Sequence, residues 1–128
     1  MFSHVMVGSD DIDRSRKFYD ALFGAVGGKP GMKDANGRLI YAHNGGLLLI
    51  TKPIDGQAAC HANGGTIGFA MSGPEQADNW HKAGVANGGT AIEDPPGVRQ
   101  GGGGQMYLAY LRDPDGNKLC ALHRIPAA

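Results

Sequence analysis

Apolar and polar positions along this chain follow one order of periodicities, strand then helix then strands, and run through that order twice. Ser3–Val7, a run of small and β-branched residues, reads as a strand. Behind it, Ile12, Phe18, Tyr19 and Leu22, with Ser15 between them, fall near one helical stripe, while Arg14, Arg16, Lys17 and Asp20 lie outside it. The spacing predicts a helix over Ile12–Phe23, capped by Asp10 or Asp11, with Asp13 well placed in its first turn. Arg38–Ala42 and Leu47–Thr51 predict a hairpin across His43-Asn44-Gly45-Gly46. The order restarts with a strand at Thr66–Met71 and a helix over Pro74–Val85, with Ser72 as its cap and Pro74 and Glu75 in its first turn. Strands at Thr90–Ile92, Tyr107–Leu111 and Lys118–Leu122 complete it. The turn Asp113-Pro114-Asp115-Gly116-Asn117 between the last two is the strongest local signal, because Pro sets φ and Gly accepts the left-handed position.

An offset of 62 residues lays His4 on Thr66 and Phe18 on Trp80. A period this long, present twice, marks a duplicated module; a solenoid needs about three or more repeats. Each half reads β-α-β-β-β, with module 1 at about 1–55, a linker at about 56–64 and module 2 at about 65–128 of a single domain. A cleft between two such halves is a natural ligand site. Leu47-Leu48-Leu49-Ile50 and Met106 to Leu111 are apolar at both parities, so both faces of these strands are expected to be covered. Helices would cover one face, and the other half, a second subunit or an apolar ligand the other.

The 22 glycines cluster between apolar segments and punctuate the chain. Gly101 to Gly104, after Pro95-Pro96-Gly97, leaves two readings open, a floppy surface loop or a lid over a pocket. It is not a phosphate loop, because no Lys-Ser/Thr follows it. Hydrophobic content of 41% with 19% charged residues is that of a globular protein. Twelve basic against twelve acidic residues offer no footprint for nucleic acid or an anionic membrane, and the neutral balance is compatible with self-association. No apolar run reaches the roughly 20 residues of a membrane span, and no signal peptide opens the chain, so a cytoplasmic protein is expected. Cys60 and Cys120 lack zinc or redox spacing and read as reduced thiols.

The duplicated β-α-β-β-β order, with His4 on the first strand, DRSRKFYDALFG at 13–24 and DPDGNKL at 113–119, resembles the vicinal-oxygen-chelate superfamily. That group includes glyoxalase I, bleomycin-resistance proteins, fosfomycin-resistance enzymes and extradiol dioxygenases. The chain is most similar to its small bacterial glyoxalase/bleomycin-resistance/dioxygenase proteins. The resemblance implies an α+β fold, two βαβββ modules forming a curled mixed sheet around a U-shaped cleft, often completed by a second subunit in a homodimer. It also implies a divalent metal (nickel, zinc, iron or manganese) held by four cleft-facing side chains. Those positions fall on His4, on Leu49 or Ile50, on Thr66 and on Cys120.

His4 and Cys120 are the tentative metal ligands, Thr66 offers a weak hydroxyl, and neither Leu49 nor Ile50 can bind a metal. Since an open zinc site takes three protein ligands, the expected centre is incomplete. His81 is expected on a helix away from the cleft, His43 and His61 in loops, and His123 at the opposite parity to Cys120. The cleft candidates are therefore His4, Thr66 and Cys120, with Tyr41 and Tyr107 for stacking on a ligand and Arg99 for steering an anionic one; Tyr110 and Arg112 are further possibilities of the same kinds. The expected function is binding of a small aromatic or apolar molecule in the cleft. The alternative is a metal-dependent lyase, isomerase or dioxygenase with a remodelled metal site. Metal-free catalysis by His4 or Cys120 has no support beyond their shared place in the expected cleft.

Overall fold

The computed structural model describes residues 1–127. Its elements run β1 (Val5–Gly8), α1 (Ile12–Gly24), β2 (Met32–Lys33), β3 (Leu39–His43) and β4 (Gly46–Thr51), then β5 (Ile67–Ala70), α2 (Pro74–Ala86), β6 (Thr90–Ala91), β7 (Gly97–Gly101), β8 (Gly104–Arg112) and β9 (Lys118–Arg124). Two mixed sheets result. The first has the order β1-β4-β3-β2, with β1 parallel to β4; the second has β5-β9-β8-β6, with β5 parallel to β9 and β7 paired to β8. The repeat holds in three dimensions: β1 and β5, and α1 and α2, stand at the same 62-residue offset, and the two helices have equal length.

Local chemistry sets the element ends. Asp11 caps α1, its side chain accepting the Arg14 N–H at 3.0 Å. Asp10 does not cap; it accepts the Ala59 N–H at 2.6 Å and ties down the segment between the halves. The cap of α2 is Gly73 rather than Ser72, because the helix starts at Pro74 and Ser72 lies a residue too early. Gln76 reaches back to the Ser72 N–H instead. Asn44 and Gly45 both take positive φ, the twist that a two-residue hairpin between β3 and β4 requires. The segment Gly101 to Gly104 is neither a floppy loop nor a lid. It is the tight turn of a β7–β8 hairpin in which Gly101 pairs with Gly104.

The core lies between the helices and the inner faces of both sheets, around Phe18, Tyr19, Leu22, Leu39, Ile50, Trp80, Leu111 and Leu119. The helices pack on each other where Gly84 lies: a Cβ there would meet Leu111 Cδ2 at 2.5 Å and Leu22 Cδ1 at 3.0 Å. The two segments that carry the family resemblance meet as well. Asp113 is buried and accepts the Tyr19 hydroxyl at 2.6 Å, while Asp115 takes Arg14 at 2.7 Å. Asn117 donates to the Gly8 carbonyl at 3.2 Å. The turn of the second half is thereby fastened to the first helix and strand of the first half.

Candidate functional site

Register decides which side chains leave the core. In the first sheet Val5 pairs with Leu48 and Val7 with Ile50, facing the helices; Met6 pairs with Leu49 on the other face. Ile50 is fully buried in the core, so Leu49 is the position that carries the expected cleft parity. In the second sheet Ile67, Phe69, Leu119 and Ala121 face the helices, and Gly68 and Cys120 pair on the opposite face. Met6–Leu49 and Gly68–Cys120 are thus counterparts across the duplication.

His4 is exposed just before β1, with its Nδ1 2.8 Å from the Ser3 hydroxyl. Thr66 is exposed just before β5, and Cys120 is buried within β9. Burial pushes the Cys120 thiol up, which keeps it protonated and makes it a poor ligand and a poor nucleophile at neutral pH. Both cysteines are free. Among the described residues no group of three or more His, Cys, Asp or Glu side chains comes together. Three of the other four imidazoles are spent on main-chain carbonyls: His81 on Tyr110, His123 on Met71 and His61 on Ala62. One imidazole, one hydroxyl, one protonated thiol and one leucine do not fit a divalent metal, which wants three or more nitrogen, oxygen or thiolate donors.

The two stacking candidates do not face away from the helices. Tyr41 pairs with Leu48 on the inner face, packs on Phe23 at 4.9 Å between centroids and donates to Asp20 at 2.6 Å. Burial and the Asp20 carboxylate raise its hydroxyl well above the ordinary range. Tyr107 turns to α2 and donates to Asp78 at 2.7 Å, a contact that raises its pKa. Arg99 shares the outer face with its partner Met106, and its Nη2 donates to the carbonyls of Asp94 and Pro95, each at 3.0 Å.

A groove of 380 Å³ opens at the seam between the halves, bounded by residues 1–5, the β3–β4 hairpin, the end of α1 and β5. Outer-face residues His4, Leu47, Gly68 and Ala70 form its rim, and Phe23, Tyr41, Leu48, Phe69, Met71 and Trp80 its deeper walls. Phe69 sits edge-on to Phe23 at 5.7 Å and tilted against Trp80 at 6.0 Å, so aromatic surface is continuous from one half to the other. Of the sequence candidates, His4 and Tyr41 line this groove, whereas Thr66, Cys120, Tyr107 and Arg99 do not. His43, expected in a loop, ends β3 and also lines it. Phe23, Phe69 and Trp80 read as plain core in the sequence, and no local signal separates a core aromatic from one exposed at a seam.

Residues 1–121 match the sequence model of the glyoxalase/bleomycin resistance protein/dioxygenase superfamily. The chain belongs to that superfamily. A crystal structure of a glyoxalase/bleomycin resistance protein from Albidiferax ferrireducens T118 is 59% identical over 97% of this chain and 99% of its own, with a TM-score of 0.93. A glyoxalase-related enzyme from Fulvimarina pelagi (20% identity, 97% and 88% covered, TM-score 0.71) shares the fold. So does a lactoylglutathione lyase from Agrobacterium tumefaciens (19% identity, 96% and 92% covered, TM-score 0.66). No curated protein matches the chain. The superfamily's glyoxalase/bleomycin-resistance fold, a duplicated βαβββ module in an α+β arrangement, is the fold observed, with one additional strand, β7, in the second half. No described helix is long and apolar enough to cross a membrane.

Proposed function

We propose that this member of the glyoxalase/bleomycin resistance superfamily binds a small aromatic or apolar molecule in the groove between its halves, with an incomplete metal centre. The groove carries the reading. Its volume falls in the ligand-pocket range of about 300–1,000 Å³; its walls are aromatic and aliphatic, and among the described residues no carboxylate lines it. His4 and His43 are the ionisable side chains at its edge, suited to orienting a polar atom of an otherwise apolar ligand.

The donor chemistry supports the metal-free half of the proposal. Leu49 supplies no donor, Thr66 a weak one, and Cys120 is held as a thiol. The metal-dependent alternative, a lyase, isomerase or dioxygenase, has a direct test. After loading with nickel, zinc, iron or manganese, the purified protein is expected to retain well under one ion per chain. One tightly held ion per chain, lost in both His4→Ala and Cys120→Ala, would overturn the proposal and restore that alternative.

We further propose a homodimer. The outer face of the first sheet is apolar and uncovered, with Met6 and Leu47 each more than a third exposed and Met32 at 70%. A second copy is the occupant that the near-neutral charge and this face favour.

A further inference from the structure

Large and small side chains alternate along β5: Ile67 and Phe69 face the helices, and Gly68 and Ala70 the outer side. The strand ends its sheet on one side, pairing with β9 alone and in parallel. In a parallel pair the N–H and C=O of one residue point to the same side, and those of its two neighbours to the other. The Met71 N–H donates to the Leu122 carbonyl at 2.8 Å, so Phe69 and Ile67 also bond toward β9. The main-chain groups of Gly68 and Ala70 therefore point off the sheet, and among the described residues they have no main-chain partner. Strand edges are ordinarily blunted by a charge, a proline or a bulge. Ile67-Gly68-Phe69-Ala70 carries no charge and no proline, and its register with β9 is unbroken.

That open edge runs along the seam groove, which every residue from Ile67 to Met71 lines. The equivalent edge of β1 is less available: the Gly8 carbonyl already accepts from Asn117 at 3.2 Å, and Met6 stands outside the groove. The small outward side chains of Gly68 and Ala70 let a second backbone come close, and a Cβ at Gly68 would meet nothing within 4 Å. A ligand residue set beside Phe69 would donate its N–H to the Gly68 carbonyl and accept at its own carbonyl from the Ala70 N–H, as a parallel neighbour does. Its side chain would then fall on the Phe69 side of the sheet, toward Phe23 and Trp80, whose rings lie 5.7 Å and 6.0 Å from that of Phe69.

We propose, resting on the groove reading, that the ligand is an N-acylated aromatic amino acid, bound as one added residue on the β5 edge. Its ring supplies the apolar contact that the groove walls offer. Its N–H and its carboxyl or carboxamide oxygen satisfy the Gly68 and Ala70 main chain, the division of labour of a strand added to a sheet edge. At 380 Å³ the groove is near the lower end of the ligand-pocket range of about 300–1,000 Å³, room for one residue rather than a run of chain.

The probes are N-acetylphenylalaninamide and its ester analogue O-acetyl-3-phenyllactamide, which carries an oxygen where the first carries the N–H. Calorimetric titration of the wild type should show the amide binding about five-fold more tightly than the ester, the worth of one hydrogen bond. Ala70→Pro removes the partner of the ligand carbonyl; because that N–H points off the sheet, proline leaves the pairing with β9 intact. The variant should lower affinity for the amide about five-fold relative to N-phenyl-1-naphthylamine, an aromatic probe with no amide. Equal binding of amide and ester by the wild type would overturn the proposal, as would an Ala70→Pro chain that holds the amide as tightly as the wild type does. Binding about ten-fold tighter for phenylalanine at the centre of a capped alanine pentapeptide would overturn the single-residue ligand. If the wild type takes N-phenyl-1-naphthylamine but not the amide, this ligand class falls and the groove stands; if it takes neither, the groove reading falls as well. The ester comparison uses the wild-type chain alone, so it decides the proposal even where Ala70→Pro does not fold.

Discussion

Asp113 is a carboxylate only 3% exposed, and four donors hold it there: the Tyr19 hydroxyl, the Asp115 and Asn117 N–H groups and the Asn117 side chain. Its role follows from those partners. It organises the Asp-Pro-Asp-Gly-Asn turn and receives the first helix, so the motif that most marks the family joins the modules and does not line the groove. Tyr19→Phe removes one donor from a buried charge and is expected to cost about 1–3 kcal/mol in denaturant unfolding. The same contact sets an alkaline limit. Burial, and next the Asp113 charge, hold the Tyr19 pKa well above its ordinary value in the folded chain. An unfolded tyrosine ionises near about pH 10, so the stabilisation is fully present below that pH and is lost as pH rises above it. A stability profile measured from pH 8 to 12 should be flat at first and then fall, and fall less steeply in Tyr19→Phe. No such difference between the two chains would contradict this assignment.

At the scale of elements, the outer face of the first sheet is where the fold is least finished. Leu47→Glu puts a charge on that exposed apolar strand without disturbing the buried Leu48 and Ile50. Light scattering is expected to give a dimer for the wild type and a monomer for this variant; a wild-type monomer at high concentration would contradict the homodimer. Much of the element pattern was legible in the sequence, since the helical stripe of Phe18, Tyr19 and Leu22 and the Asp-Pro-Asp-Gly turn are signals that local chemistry alone produces. β7 was not legible, because its glycines carry no side chains to alternate. Nor were the orientations of the tyrosines. Tyr107 and Tyr110 are three residues apart on one strand and must face opposite sides, but which one points inward depends on where α2 packs. The family resemblance likewise put His4, Leu49 or Ile50, Thr66 and Cys120 on the cleft side, yet could not choose between Leu49 and Ile50 or say that Cys120 and Thr66 would lie outside the groove that His4 borders.

At the scale of the molecule, the duplication leaves a seam whose aromatic walls come from both halves, Phe23 and Tyr41 from one, Phe69 and Trp80 from the other. Trp80 is the single tryptophan of the chain and stands in the groove wall, which makes its emission a local reporter. The measurement that bears most directly on the account is a titration of the chelator-treated protein with N-phenyl-1-naphthylamine, a neutral aromatic probe, followed by quenching of Trp80. The expected result is saturable binding of one probe per chain, unchanged by added nickel or zinc, and weakened at least ten-fold in Gly68→Leu, which fills open space at the rim without backbone strain. Quenching that never saturates, or that appears only after metal is restored, would contradict the central claim that this groove takes an apolar ligand on its own.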